Sequence, residues 1–143
     1  MKKYFLFFVM AAALVSCNTK KMDQVAAEAA RQQINDALKD STQVKLVDSV
    51  YNFGTIAEGE KVEHNFRFKN IGSKPLVITA SQPSCGCTVA EKPEKPVLPG
   101  ETDFIKVVFN SKGKEGHQEK TIIVSSNAKP AFTILRLLGE VKK

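Results

Sequence analysis

Between Val62 and Lys69 the chain alternates without a break: Val62, His64, Phe66 and Phe68 on one register, Glu63, Asn65, Arg67 and Lys69 on the other. Side chains along a β-strand point to opposite faces in turn, so this run specifies a half-buried strand with Phe inward and charge outward. A helix of the same composition would scatter the aromatics around its axis. Further short β-type runs follow the same logic: Pro75 to Ser81, Thr88 to Ala90, Phe104 to Phe109, Thr121 to Ser125 and Phe132 to Val141, with Val44 to Val47 and Val50 to Phe53 ahead of them. In Phe104 to Phe109 the two registers separate Phe104, Lys106 and Val108 from Ile105, Val107 and Phe109.

The punctuation between these runs is of the kind that ends strands. Asn70-Ile71-Gly72-Ser73-Lys74-Pro75 and Asn127-Ala128-Lys129-Pro130 are turn clusters, and Asn110 to Gly116 is a polar turn with two glycines. Pro83 and Ser84 break the Pro75 to Ser81 run, and Pro93, Pro96, Pro99 and Gly100 mark a loop or an edge. About seven short strands with a turn signal every ten residues or so describe an all-β, antiparallel β-sandwich of immunoglobulin-like type over 44–143. No Trp is present, and Cys85 and Cys87 are only two residues apart. The sandwich is therefore expected to hold by apolar packing, without a disulfide between its sheets.

Upstream the pattern changes. Met1-Lys2-Lys3 is a short basic start, and Tyr4 to Val15 is a continuous apolar run. A run of about a dozen residues has the length of a signal-peptide core and is too short to span a bilayer. Leu14-Val15-Ser16-Cys17 resembles the bacterial lipobox, in which the Cys is acylated and becomes the new N-terminus. Residues 1–16 are thus expected to be a lipoprotein signal peptide, with Cys17 the lipidation site that holds the protein to a membrane. Residues 17–43 then form a lipidated tether. Met22 to Lys39 has no Gly or Pro and favours helix, but its apolar stripe is mostly Ala and buries little area, so a partly helical spacer is expected. Lys20-Lys21, directly after the lipobox, favours the periplasmic face of a Gram-negative envelope.

Charge excludes one large class of partner. The formal net charge is +6, and loss of Lys2 and Lys3 with the signal peptide would leave 19 basic against 15 acidic side chains, or +4. The lysines are spread along the strands and not clustered with aromatics on one face, so no nucleic acid is expected as a ligand.

With Cys17 acylated, two thiols remain, in the stretch Ser84-Cys85-Gly86-Cys87-Thr88. Three states of the pair are chemically open. The cysteines can be small buried hydrophobes that shape a turn. They can form a Cys85–Cys87 disulfide, as suits an oxidising compartment. They can bind a soft metal such as copper as Cu(I), with His117 the better third ligand. His64 shares the face of Phe66 and Phe68 and reads as a histidine of the core boundary. A Cys-x-x-Cys motif at a helix N-terminus, a Ser-His-Asp set, paired carboxylates and a Gly-rich phosphate loop are all missing, so no enzyme and no catalytic residue is expected.

The series Tyr51-Asn52-Phe53-Gly54-Thr55-Ile56, then Gly59, Phe66-Arg67-Phe68-Lys69-Asn70-Ile71-Gly72, Pro75-Leu76-Val77-Ile78, Ser84-Cys85-Gly86-Cys87-Thr88 and Pro99-Gly100 resembles the bacterial family called domain of unknown function 1573. The resemblance runs from about Val50 to Val141. It implies an immunoglobulin-like sandwich related to hydin-type and PapD-like domains. It also implies a short envelope lipoprotein of Bacteroides-like bacteria, and it carries no catalytic assignment. The functional expectation is a non-enzymatic envelope module that binds another protein, by adding a strand at the last strand (Phe132 to Val141) or at the Pro-rich edge near Val97. The alternative is a copper-binding or redox accessory that uses Cys85 and Cys87.

Overall fold

The structure, a computed structural model, describes the backbone of residues 18–143 and the side chains from residue 24 onward. The signal peptide expected at 1–16 and the lipidation expected at Cys17 lie outside the described residues. The chain divides into two compact units, one ending at Gln33 and one running from Ile34 to Lys143. In the first, the described side chains belong to helix α1 (Asn18–Lys39) and are exposed; Val25 is 65% exposed. No helix among the described residues is long and apolar enough to cross a membrane.

The second unit opens with the last turns of α1 and continues into eight strands: β1 (Val44–Leu46), β2 (Val50–Ala57), β3 (Lys61–Asn70), β4 (Ile78–Pro83), β5 (Thr88–Glu91), β6 (Thr102–Asn110), β7 (Gly116–Ser126) and β8 (Leu135–Lys142). They form two four-stranded sheets, ordered β1-β3-β6-β5 and β2-β8-β7-β4. This is the sandwich that the alternation requires, with one departure. β2 runs parallel to β8, whereas every other strand pair is antiparallel. The cause is the crossing after β1. The chain leaves the first sheet at Asp48 and enters the second at Ser49, whose C=O accepts the Arg136 N–H at 2.9 Å.

β3 reproduces the sequence pattern: Val62, Phe66, Phe68 and Asn70 are buried, and each charged neighbour is exposed. Phe66, Phe68, Ile105, Val107 and Phe109 from one sheet meet Ile122, Leu135, Leu137 and Val141 from the other. All of these are essentially without solvent contact. Phe104 points outward at 44% exposure, as the two registers of its strand require. Phe53 reaches the core because Gly139 has no side chain: a Cβ there would collide with the Phe53 ring.

β4 is displaced toward the C-terminus relative to its apolar run. Leu76 and Val77 are buried ahead of the strand, Leu76 bridges Val97, and the strand proper continues to Pro83. Ser84 pairs with Thr121 beyond it, so in the alternating pattern Ser84, Gln82 and Ala80 turn their backbone groups to β7 while Pro83 turns away from it. Proline is tolerated there because no ladder donor is needed.

Candidate functional site

Ser84 to Thr88 is the point at which the chain crosses from the second sheet to the first. The Ser84 N–H donates to Thr121 C=O at 2.8 Å, and the Thr121 N–H returns to Ser84 Oγ at 3.2 Å, which ends the pairing with β7. The Asn110 N–H donates to Cys87 C=O at 2.9 Å, which begins the pairing with β6. Cys85 and Gly86 bridge the gap between these anchors, and the Thr88 N–H closes the turn on Cys85 C=O at 3.2 Å. A second tie holds the same two edges together, from Ser81 Oγ to Ala90 C=O at 2.8 Å.

Cys85 and Cys87 are joined by a disulfide, with their Cα atoms 5.3 Å apart. Both are half-buried, while Ser84 and Gly86 are exposed. Thr88 is buried at 3% exposure, and its hydroxyl lies 3.5 Å from Cys85 Sγ and 4.0 Å from Cys87 Sγ. Cys87, but not Cys85, borders a shallow groove of about 410 Å³ on the outer face of the first sheet, lined also by Lys61, Gly86, Val89, Val108, Asn110 and Lys112. Val89 and Val108 are cross-strand partners and make an apolar floor. Beside Thr88 in the sheet is its cross-strand partner Phe109, with Lys120 Nζ 5.4 Å from the ring centroid. Partial burial and the nearby Lys114 charge lower the Lys120 pKa.

The remaining candidates sit elsewhere. His117 is at the start of β7, 72% exposed in its side chain, with Nδ1 4.0 Å from Glu140 Oε2. It is four residues from Thr121, the partner of Ser84, or about 13 Å at the usual strand rise. The structure therefore does not bring His117 to the sulfurs, and disulfide-bonded sulfurs offer no thiolate to copper. No group of three or more metal-ligating side chains occurs among the described residues. His64 is held at the boundary of the core: Nε2 is 2.6 Å from Asp48 Oδ2, the ring stacks on Tyr51 at 3.9 Å, and Phe66 meets it edge-on at 4.6 Å.

Neither surface expected to accept an added strand is free. β8 lies between β2 and β7 and is hydrogen-bonded on both sides, so the last strand is not an edge. Val97 is 3% exposed and exchanges both backbone bonds with Leu76, at 2.8 and 2.9 Å. β2 is an edge strand of the second sheet, paired only with β8, and the first sheet has an open stretch of its own. β1 pairs only as far as Leu46, and the Val47 N–H donates to Arg67 C=O at 2.9 Å. Asp48 Oδ1 then takes the Arg67 N–H at 3.2 Å. By the alternation of an antiparallel ladder, Asn65, Glu63 and Lys61 turn their N–H and C=O groups to the same side, where no strand pairs with them. Sequence reasoning passed over this edge because β3 reads as a central strand, and only the early departure of β1 uncovers it.

Solved structures share the architecture. A protein of unknown function from Porphyromonas gingivalis W83 superposes with a TM-score of 0.61 at 14% identity, over 71% of this chain and 47% of that one. The present chain thus spans about half the length of the Porphyromonas protein. PapD-like domain 7 of human CEP192 superposes with a TM-score of 0.50 at 13% identity, over 72% of this chain and 87% of the domain. At these identities the likeness is one of fold: a PapD-like, immunoglobulin-like sandwich. No curated protein matches the sequence. The family described as protein of unknown function (DUF1573) matches residues 44–141, well over half of the chain, and the chain belongs to that family.

Proposed function

We propose that this protein is a non-enzymatic, protein-binding module of the cell envelope, lipidated at Cys17, that receives an extended segment of a partner along the open edge of β3. The supporting observation is the stretch Lys61 to Asn65, where backbone donors and acceptors face outward beside a β1 that pairs only from Val44 to Leu46. An unpaired ladder is a template for an incoming strand, and main-chain hydrogen bonds supply the affinity. One exposed apolar side chain adjoins that side, Val47 at 62%, whose N–H is bonded to Arg67 of β3, and it offers a contact to the added strand. A second copy of the same chain is a poor occupant. Antiparallel pairing of this edge with itself about Glu63 would set like charges directly opposite.

The Leu14-Val15-Ser16-Cys17 signal supports the lipid anchor and the envelope location. The test is capture from detergent-solubilised envelope with the wild-type chain and with Asn65→Pro. The proline removes one outward N–H and leaves the β6 ladder untouched. A partner retained by the wild type and lost with Asn65→Pro, at matched thermal stability, supports strand addition. Equal retention by both proteins overturns it.

A further inference from the structure

The geometry points to a thiol–disulfide exchange site at Cys85–Cys87, in which Cys87 Sγ is the sulfur that an incoming thiolate attacks and Cys85 is the leaving thiolate. This goes beyond strand addition and does not depend on it: the outward backbone groups of β3 are on the β1 side, the sulfurs are at the β5 side of the same sheet, and Lys61 is shared, its backbone belonging to the edge and its side chain to the groove.

Three observations assign the direction. Access is the first. Cys87 lines the outer groove together with the exposed Gly86, whereas Cys85 does not line it, so the groove leads an incoming group to Cys87. Charge is the second. Lys61 and Lys112 line the same groove and favour an anionic nucleophile over a neutral one. The Thr88 hydroxyl is the third. It is buried, and it lies nearer to Cys85 Sγ (3.5 Å) than to Cys87 Sγ (4.0 Å). A neutral disulfide sulfur is a weak acceptor, whereas a thiolate is a strong one. The hydroxyl therefore gains a charge-assisted bond when Cys85 leaves with the electron pair. A lower-energy leaving thiolate speeds exchange and shifts the equilibrium toward the reduced protein.

The substrate class is an extended polypeptide with two neighbouring cysteine thiols, seated on the Val89–Val108 floor. Its first thiolate attacks Cys87 Sγ. The Cys85–Cys87 bond breaks, a mixed disulfide forms on Cys87, and the electron pair stays on Cys85. The second substrate thiolate then attacks the substrate sulfur of the mixed disulfide and releases Cys87 as a thiolate. The substrate leaves with a new disulfide, two electrons have passed to the protein, and the protons from the two substrate thiols end on solvent or on Cys85 and Cys87. One turnover leaves the protein as a dithiol.

The test treats the oxidised full chain with reduced glutathione, quenches by acid and alkylation, and maps the mixed disulfide by peptide mass. The expected result is glutathione on Cys87 with Cys85 alkylated. Reduction should also be faster than for the isolated peptide Ser84–Thr88 closed by its own disulfide. Thr88→Val should lower the equilibrium constant for reduction about tenfold or more, and Thr88→Ser should restore it. Lys61→Gln/Lys112→Gln, which leaves the Thr88 environment intact, should slow the first step several-fold in a salt-dependent manner. Glutathione on Cys85, reduction no faster than for the peptide, or Thr88→Val and the double Lys variant both matching the wild type would each overturn the assignment.

Discussion

Asn70 has no solvent exposure, yet its side chain satisfies four polar groups. Oδ1 accepts the Thr42 hydroxyl at 2.9 Å and the Gly72 N–H at 3.1 Å, and Nδ2 donates to Lys74 C=O at 2.8 Å and Val97 C=O at 2.9 Å. Gly72 completes the knot by lacking a side chain, since a Cβ there would collide with Thr42 and the Gln43 backbone. The Phe-x-Phe-x-Asn-x-Gly run that carries much of the family resemblance is thus explained by scaffolding, not by chemistry. Asn70→Ala should destabilise the domain by about 3 kcal/mol or more, because it strands several buried polar groups at once. Asn65→Ala on the exposed face of the same strand should shift it by less than about 0.5 kcal/mol. Urea unfolding of the two variants measures the contrast. The sequence marks Asn70 to Pro75 as a turn; Asn70 ends β3 and the chain bends from Gly72 to Lys74. The buried knot was not legible, because Thr42 and Val97 lie 28 and 27 residues away and only the folded chain brings them in. Asn127 escaped for the same reason. Read as a turn residue, it also accepts the Val77 N–H and donates to the carbonyls of Ala37, Asp40 and Pro75, so the end of α1 is fastened to the sandwich.

At the scale of elements, the alternating registers identify strands well because burial of one face is a local property of each strand. β3 and β6 follow their registers residue by residue. Spatial order is not local, and chain order does not reveal it. β8 comes last in the chain but is central in its sheet, whereas β5, in mid-chain, is an edge. A proline scan separates the two situations. Leu137→Pro breaks β8 where it is paired on both sides, and should cost about 3 kcal/mol or more, enough to unfold much of the protein at 37 °C. Asn65→Pro, whose N–H faces the open edge, should cost clearly less. Gly139→Ala tests the packing between β2 and β8: the methyl group must displace the Phe53 ring from the core. A loss of about 1–3 kcal/mol is expected from such overpacking. Melting curves of the three variants should rank Leu137→Pro as the most damaging and Asn65→Pro as the least. A reversed order of the two prolines would mean that the β3 edge is already occupied.

The whole domain is asymmetric. On one side the edges β4 and β5 are closed against each other by the Ser81–Ala90 bond, the Pro83 end and the disulfide turn. On the other, β1 is three residues long and leaves β3 uncovered. The disulfide ring encloses a single intervening residue. Closing so short a loop removes little freedom from the unfolded chain, about 1.6 kcal/mol in the chain-entropy relation for a loop of roughly three residues. Cys87 packs against the apolar core between the sheets as a partly buried side chain, but neither cysteine is among its buried members, so the core should keep the fold without the disulfide. Cys85→Ser/Cys87→Ser should therefore unfold in one cooperative transition with a midpoint lowered by about 10 °C or less. Amide exchange in β3, β6, β7 and β8 should be little changed, while protection at Thr88 and Val89 falls. A double variant that loses cooperative unfolding would make the disulfide a structural staple of the sandwich. A double variant that melts near the wild type leaves the sulfurs free to serve chemistry at the closed side, and the proposed partner binding at the open side should continue without them.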